Sequence, residues 1–418
     1  MKRLFLSAIA MYISMLQAFS QSSTTDSSGY KQKPLSFEEA NLVSSYYSQN
    51  GNHSAVTGGI GTEKVTDLSN GLEIKFSGVT YKGNKHTFTA SLGIDHHTSA
   101  SSAYVSKTGA SQTGGSRIYP SLNWEVENPH NKTSFGAGVY YSSEYNYQSF
   151  GLDATFSKQT KTNGEFAVKG NVFFDKVKLI YPSELVPGST TSTDGGTTTY
   201  TTASGRTVTL GSGDDVSEKI PSSPRTTISG SFSFAQVINK RLQGSIALDI
   251  VGQTGYLGLP FHRVYFTDGT EAVENLPSSR FKLPVGIRLN YFLGDKIVLR
   301  SYYRYYTDDW GIQSHTASLE VPYKITPFFS IAPYYRYYVQ TAAKYFAAYA
   351  EHKTTDQYYT SNYAYAAFTS GYAGVNMRIA PPKGLFNSKL NTLEIRYGHY
   401  TQTTQLSANV ITLAFTFK

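Results

Sequence analysis

Cysteine is absent from all 418 residues. That excludes disulfides, thiol chemistry and a lipoprotein-type anchor, so the chain must hold together without covalent staples. Charge is also sparse, at 16% of residues. After the first twenty residues no stretch approaches the roughly 20 consecutive apolar residues that a membrane helix requires, so a membrane protein of this sequence would have to cross with strands. The formal charge of +8 does not point to nucleic acid, because Lys and Arg are scattered through strands and turns instead of clustering in a basic helix or arm. What the chain has in quantity is Tyr (34), Phe (24) and Gly (36), a composition suited to a barrel whose lumen and loops are polar and whose alternate strand residues meet lipid.

Residues 1–20 read as a secretory signal: Lys2 and Arg3, an apolar run from Leu4 to Leu16, and small residues around Ala18-Phe19-Ser20. Residues 21–52 read as an N-terminal periplasmic tail. Its start is Ser/Thr-rich, and Glu38-Glu39-Ala40 hints at a short helix. Residues 53–418 read as the membrane domain.

Within that domain, segments of about 10 to 14 residues alternate apolar with polar and are bounded by turn residues. Leu72, Ile74 and Phe76 oppose Glu73 and Lys75; Phe88, Ala90, Leu92 and Ile94 oppose Asp95; Phe166, Val168 and Val172 oppose Lys169; Leu283, Val285, Ile287 and Leu289 oppose Lys282 and Arg288; Leu393, Ile395 and Tyr397 oppose Glu394 and Arg396. The closing stretch sets Ile411, Leu413, Phe415 and Phe417 against Val410, Thr412, Ala414 and Thr416. It predicts a last strand whose Phe415 and Phe417 serve as an assembly signal. About 16 strands are expected, the first at 54–66 and the last at 407–418, an even number as a single-chain bacterial barrel requires.

Connection lengths test this reading independently, because such barrels have short turns at the periplasmic end and long loops outside. The long insertions 98–115, 177–224, 254–280 and 341–368 all follow odd-numbered strands, whereas Lys82-Gly83-Asn84-Lys85, Asn239-Lys240, Gly294-Asp295 and Thr326-Pro327 close even-numbered ones. Both termini therefore fall on the periplasmic side. The insertion 177–224 is too polar to form a core of its own, while the Tyr/Ala-rich insertion 341–368 has apolar content enough to fold inward across the pore.

The stretch Ser44 to Gly71, followed by Asp95-His96-His97-Thr98-Ser99-Ala100-Ser101-Ser102, resembles a family of exported bacterial proteins known only as a domain of unknown function. The resemblance implies an outer-membrane barrel. It also implies an envelope redox neighbourhood, since members sit beside genes for a thioredoxin-like protein and a flavin transferase, and it supplies no catalytic residues.

The fold expected is thus all-β, a transmembrane antiparallel up-and-down β-barrel in a Gram-negative outer membrane. Its partners would be outer-membrane lipid and the barrel-assembly machinery. Candidate channel-lining residues are Lys282, Arg288, Arg300, Arg304, Glu320, Arg336, Glu394 and Arg396, with Arg in excess over acid from the tenth strand onward. They either set anion preference in a water-filled pore or pair with Glu320, Glu394 and Asp249 to brace it. In the repeat Tyr302-Tyr303-Arg304-Tyr305-Tyr306 and Tyr334-Tyr335-Arg336-Tyr337-Tyr338, the outward Tyr303, Tyr305, Tyr335 and Tyr337 suit an aromatic girdle. The inward Tyr302, Tyr306, Tyr334 and Tyr338 suit either the girdle or a stacking surface for sugars. His96 and His97 point to opposite faces of a strand, so no metal is expected. Gly58-Gly59-Ile60-Gly61 has no helix after it to cradle phosphate, and no Ser/His/Asp set is selected by spacing. The function expected is a porin-like diffusion channel, neither an enzyme nor a cofactor protein. The alternative is a plugged barrel, filled by residues 21–52 or an accessory subunit, that serves a structural or surface role with envelope partner proteins.

Overall fold

The computed structural model describes residues 32–98, 115–182 and 221–418, with residue 185 and the short strands 192–194, 197–201 and 207–210. The expected signal segment and the first part of the expected tail lie outside the described residues, as does most of the insertions at 98–115 and 177–224. The strands are β1 (Lys33–Asn50), β2 (Val65–Val79), β3 (Lys85–His97), β4 (Gly115–Asn128), β5 (Thr133–Ser143), β6 (Tyr147–Gln159), β7 (Gly164–Lys178) and β8 (Ser222–Asn239). They continue as β9 (Leu242–Gly255), β10 (Ser279–Leu293), β11 (Ile297–Asp308), β12 (Gln313–Glu320 with Tyr323–Thr326), β13 (Phe329–Gln340), β14 (Phe368–Ile379), β15 (Leu390–Gln402) and β16 (Leu406–Phe417). Both pieces of β12 pair with β13 and with β11. Val321-Pro322 interrupts one strand rather than separating two.

Every strand pairs antiparallel with its neighbour in sequence, and β1 closes on β16 in unbroken register from Ala40↔Phe417 to Asn50↔Ser407. Closure leaves no unpaired edge, as a lipid-embedded sheet requires. The outward residues form an apolar belt: Phe166, Val168, Phe232, Ile246, Ile250, Ile287 and Leu413 are each more than a third exposed. A belt of this extent faces lipid, and the chain is a sixteen-stranded transmembrane β-barrel of outer-membrane type. At the short-turn end, Gly294 (φ +66) supplies the left-handed residue between β10 and β11.

The first strand corrects the sequence reading. It is Lys33–Asn50, not 54–66, and it falls in the segment expected to be a tail. Glu39 looked helical beside Glu38, but as a strand residue it faces the lumen and receives Lys75 of β2 at 2.9 Å. Residues 33–50 are barrel wall and so do not plug it. Because one strand replaces another, the strand parity and the placement of the long loops are unchanged. Gly58 to Gly61 lie in the connection between β1 and β2, and Gly58 (φ +79) lets the backbone pack against the Tyr265 ring.

Buried apolar side chains concentrate above the barrel. Val264, Phe266, Trp310, Ile312, Ala343 and Ala366 are buried where loops 51–64, 256–278 and 341–367 pack together. The Arg263 Nη1 donates to the Val56 carbonyl at 3.0 Å, Thr360 Oγ1 donates to Glu274, and His53 stacks on Tyr363 with ring centroids 3.7 Å apart. No helix of the described residues is long and apolar enough to cross a membrane.

Candidate functional site

Alternation puts most charged strand side chains inside, and the two halves of the wall treat them differently. On β1 to β8 three lumen cations are paired with acids, while Arg117, over Tyr119 at 5.0 Å, is not. Lys75 lies 2.9 Å from Glu39 and 3.2 Å from Glu73, Lys169 lies 3.4 Å from Asp153, and Arg225 Nε donates to Asp175 Oδ2 at 2.9 Å. Asp95 accepts from the Tyr119 hydroxyl at 2.7 Å, and Arg117 Nε donates to Ser142 Oγ at 2.8 Å. Tyr119 lies flat over Gly93, where any side chain would collide with its ring. This leaves a cavity of about 590 Å³ lined by Asn41, Glu73, Arg117, Tyr140 and Phe173 among others.

On β10 to β15 carboxylates are placed only near the two ends. Arg300 pairs with Glu320 at 3.3 Å and Arg378 with Glu394 at 3.2 Å, both toward the short-turn end. Between them and the loops, Arg288, Arg304, Arg336 and Arg396 have no carboxylate within ion-pair distance among the described residues. Three lie instead against tyrosines: Arg288 over Tyr302 at 5.4 Å, Arg336 over Tyr372 at 5.0 Å and Arg396 over Tyr334 at 5.9 Å. Arg288, Tyr302, Ser318, Arg336 and Tyr372 form one continuous register row across five adjacent strands. Such stacking, worth about 0.5–1 kcal/mol at an exposed site, orients a guanidinium while its in-plane N–H donors stay available. It also covers ring faces of Tyr302 and Tyr334 that a sugar would need. Tyr334 and Tyr372 fit against the wall only because Gly374 and Gly398 lie beside them.

Of the expected lining residues, Arg300, Glu320 and Glu394 are thus committed to ion pairs, whereas the other arginines are not. Lys282 is half-buried and opposes Asp308 in register. Outward-facing Tyr303, Tyr335 and Tyr337 are 43%, 52% and 46% exposed, and Tyr305 leans on His315 with centroids 5.2 Å apart. Phe415 and Phe417 share the outward face of β16; Thr416 points inward and donates to Asn41 Oδ1 at 2.8 Å across the seam. His96 and His97 do diverge, to Ser116 Oγ at 2.9 Å and to Glu144 at 3.3 Å. No group of three potential metal ligands occurs among the described residues.

Sequence reasoning missed the upper constriction. Arg280, assigned to an insertion, is the inward residue at the start of β10. It is held by Asp308 (Nε to Oδ2 3.0 Å) and lies over Trp310 at 4.4 Å and Tyr365 at 5.5 Å. Gln340 Nε2 donates to the carbonyls of Ala364 at 3.1 Å and Ala366 at 2.6 Å. Loop 341–367 is thereby pinned at the mouth with Tyr365 turned inward. The usable signal was period: Arg280, Lys282 and Arg288 share one parity, and Trp310 is one of only two tryptophans.

Comparison with solved structures returns distant matches over most of the chain. Pseudomonas aeruginosa OccK1 (OpdK) is 7% identical, with 91% of this chain and 97% of that chain covered at a TM-score of 0.39. Acinetobacter baumannii OccAB3 is 9% identical, with 91% and 98% covered at 0.37. A BenF-like porin from Pseudomonas fluorescens is 9% identical, with 91% and 98% covered at 0.36. No curated protein matches the sequence. A family model matches residues 70–410, and the chain belongs to that family, described as "Protein of unknown function (DUF3570)".

Proposed function

We propose that this barrel is an outer-membrane diffusion channel for small solutes with a preference for anions. One observation carries the reading: four lumen arginines on β10 to β15 lack a carboxylate, whereas on the facing half Lys75, Lys169 and Arg225 are paired and Arg117 is the arginine that is not. A water-filled passage with one uncompensated wall concentrates ions of opposite sign, and sixteen strands enclose an aqueous channel in barrels of this size. The alternative, a plugged barrel with a structural or partner role, has the loops of the mouth in its favour: loop 341–367 is pinned to β13 and meets loop 51–64 of the opposite wall through Tyr363 and His53.

Planar bilayers with the refolded chain separate the two. The channel reading expects stepwise conductance and a reversal potential in a KCl gradient that carries the sign of chloride preference. Absence of conductance from protein shown to be folded by heat-modifiable gel migration contradicts it.

A further inference from the structure

A second cavity, of about 270 Å³, lies inside the wall directly beneath the pinned loop. Its floor is Arg304, its sides are Ser314, Thr316 and Tyr338, and its roof is Ala364 and Tyr365. We infer that it is a binding subsite for a small monocarboxylate that carries hydroxyl groups, a sugar acid or similar hydroxy acid. The inference rests on the lumen being open to solutes, as proposed above.

The charge of the cavity selects the ligand's charge. Two guanidiniums line it, but Arg280 is neutralised by Asp308 and enclosed by Trp310 and Tyr365. Arg304 has no hydrogen bond and no ion pair among the described residues, and its register neighbours are Gly286 and Thr316. One planar fork of N–H donors is therefore unused, and its geometric complement is a single carboxylate accepting two bonds.

The neutral groups select the ligand's body. Tyr306 already donates to Asp308 at 2.8 Å, Tyr338 donates to Gln340 at 2.6 Å, and Gln340 is committed to the loop. The hydroxyls of Ser314 and Thr316 are committed to nothing among the described residues, and Ser314 is 4% exposed. An apolar acid entering the cavity would leave them unpaired and desolvated, whereas a hydroxylated one satisfies them, which is the stronger form of discrimination between solutes. The volume lies below the roughly 300–1,000 Å³ of pockets for drug-sized ligands. One compact solute fits, and a chain does not.

Isothermal titration calorimetry on the full folded chain in detergent tests this with three probes: D-gluconate, D-glucose (hydroxyls without the charge) and butyrate (the charge without hydroxyls). Gluconate is expected to bind at least tenfold more tightly than either. Arg304→Gln should abolish the difference from glucose, Arg304→Lys should restore part of it, and Ser314→Ala with Thr316→Val should weaken gluconate severalfold while strengthening butyrate. Equal binding of gluconate and glucose, or gluconate binding unchanged in a folded Arg304→Gln protein, overturns the subsite. Chloride preference in bilayers without gluconate binding overturns this inference and leaves the channel reading standing. Gluconate binding without conductance overturns the channel reading alone.

Discussion

Two carboxylate–guanidinium pairs cap the two halves of the lumen wall, and they are built alike. Arg225 holds Asp175 between β8 and β7, and Arg280 holds Asp308 between β10 and β11. The acid side chains are 3% and 0% exposed. Below the first pair, each lumen cation on β1 to β8 finds an acid or a hydroxyl. Below the second, Arg288, Arg336 and Arg396 are stacked on tyrosines and their charge is left over. A wall braced by ion pairs needs no solute, whereas stacked arginines without counter-charges are an arrangement that a passing anion completes. The tops differ as well. Arg225 lies over Tyr147 at 5.0 Å within the barrel, while Arg280 reaches two aromatics that belong to the mouth, one of them on the pinned loop.

Breaking the two capping pairs gives the largest contrast. Arg280→Ala and Arg225→Ala each strand a buried carboxylate, which costs about 3–5 kcal/mol when one partner of a buried pair is removed. Both should lower the thermal midpoint in detergent. Only Arg280→Ala should also free loop 341–367, seen as a red shift of Trp310 fluorescence in a Trp124→Phe background and as new protease cleavage in that loop. Equal loop protection in the two variants would show that the arginine does not pin the mouth.

Next in size is the packing beneath the stacked arginines. A Cβ at Gly374 would collide with the Tyr397 carbonyl and the Tyr334 hydroxyl, whereas a Cβ at Gly71, on the inner face of β2, meets nothing within 4 Å. Gly374→Val should cost roughly 1–3 kcal/mol through overpacking and push Tyr334 off Arg396. Gly71→Val should be close to neutral. Matched denaturant midpoints for the two would refute the idea that tyrosines of the second wall depend on glycine gaps.

The smallest effect concerns the loops. Burial beside Gly51 pushes the Glu63 carboxyl up to about 7 from 4.5. Because the folded value is the raised one, the packing of loop 51–64 is fully supported below about pH 4.5 and loses that support as pH rises through 7. Protease protection of the loop should therefore fall between pH 6 and pH 8, and Glu63→Gln should remove the dependence. A pH-independent wild type would contradict the burial that raises this group.

Much of the barrel was legible because strand alternation and loop length are local signals. From Val65 onward the strands match the segments read from period and turns, and loop parity located the mouth. The first strand was not legible, since Glu38-Glu39-Ala40 suits a helix and the partner that makes Glu39 a lumen residue, Lys75, lies 36 positions away. The arginines were visible one by one, but their stacking was not. Whether Arg336 meets Glu320 or Tyr372 depends on register between strands, which a single strand's pattern does not specify. Arg300 and Arg336 look equivalent in sequence; only pairing across β12 and β14 shows that the first is neutralised and the second is not.

The central claim is that uncompensated charge on one wall sets ion preference, and the reversal potential in a KCl gradient tests it most directly. The double variant Arg288→Gln/Arg336→Gln should lose most of the chloride preference. The pair-removing variant Lys169→Gln/Asp153→Asn, which alters the braced wall without changing net charge, should keep it. A chloride preference that survives in the first variant, or disappears in the second, contradicts the account.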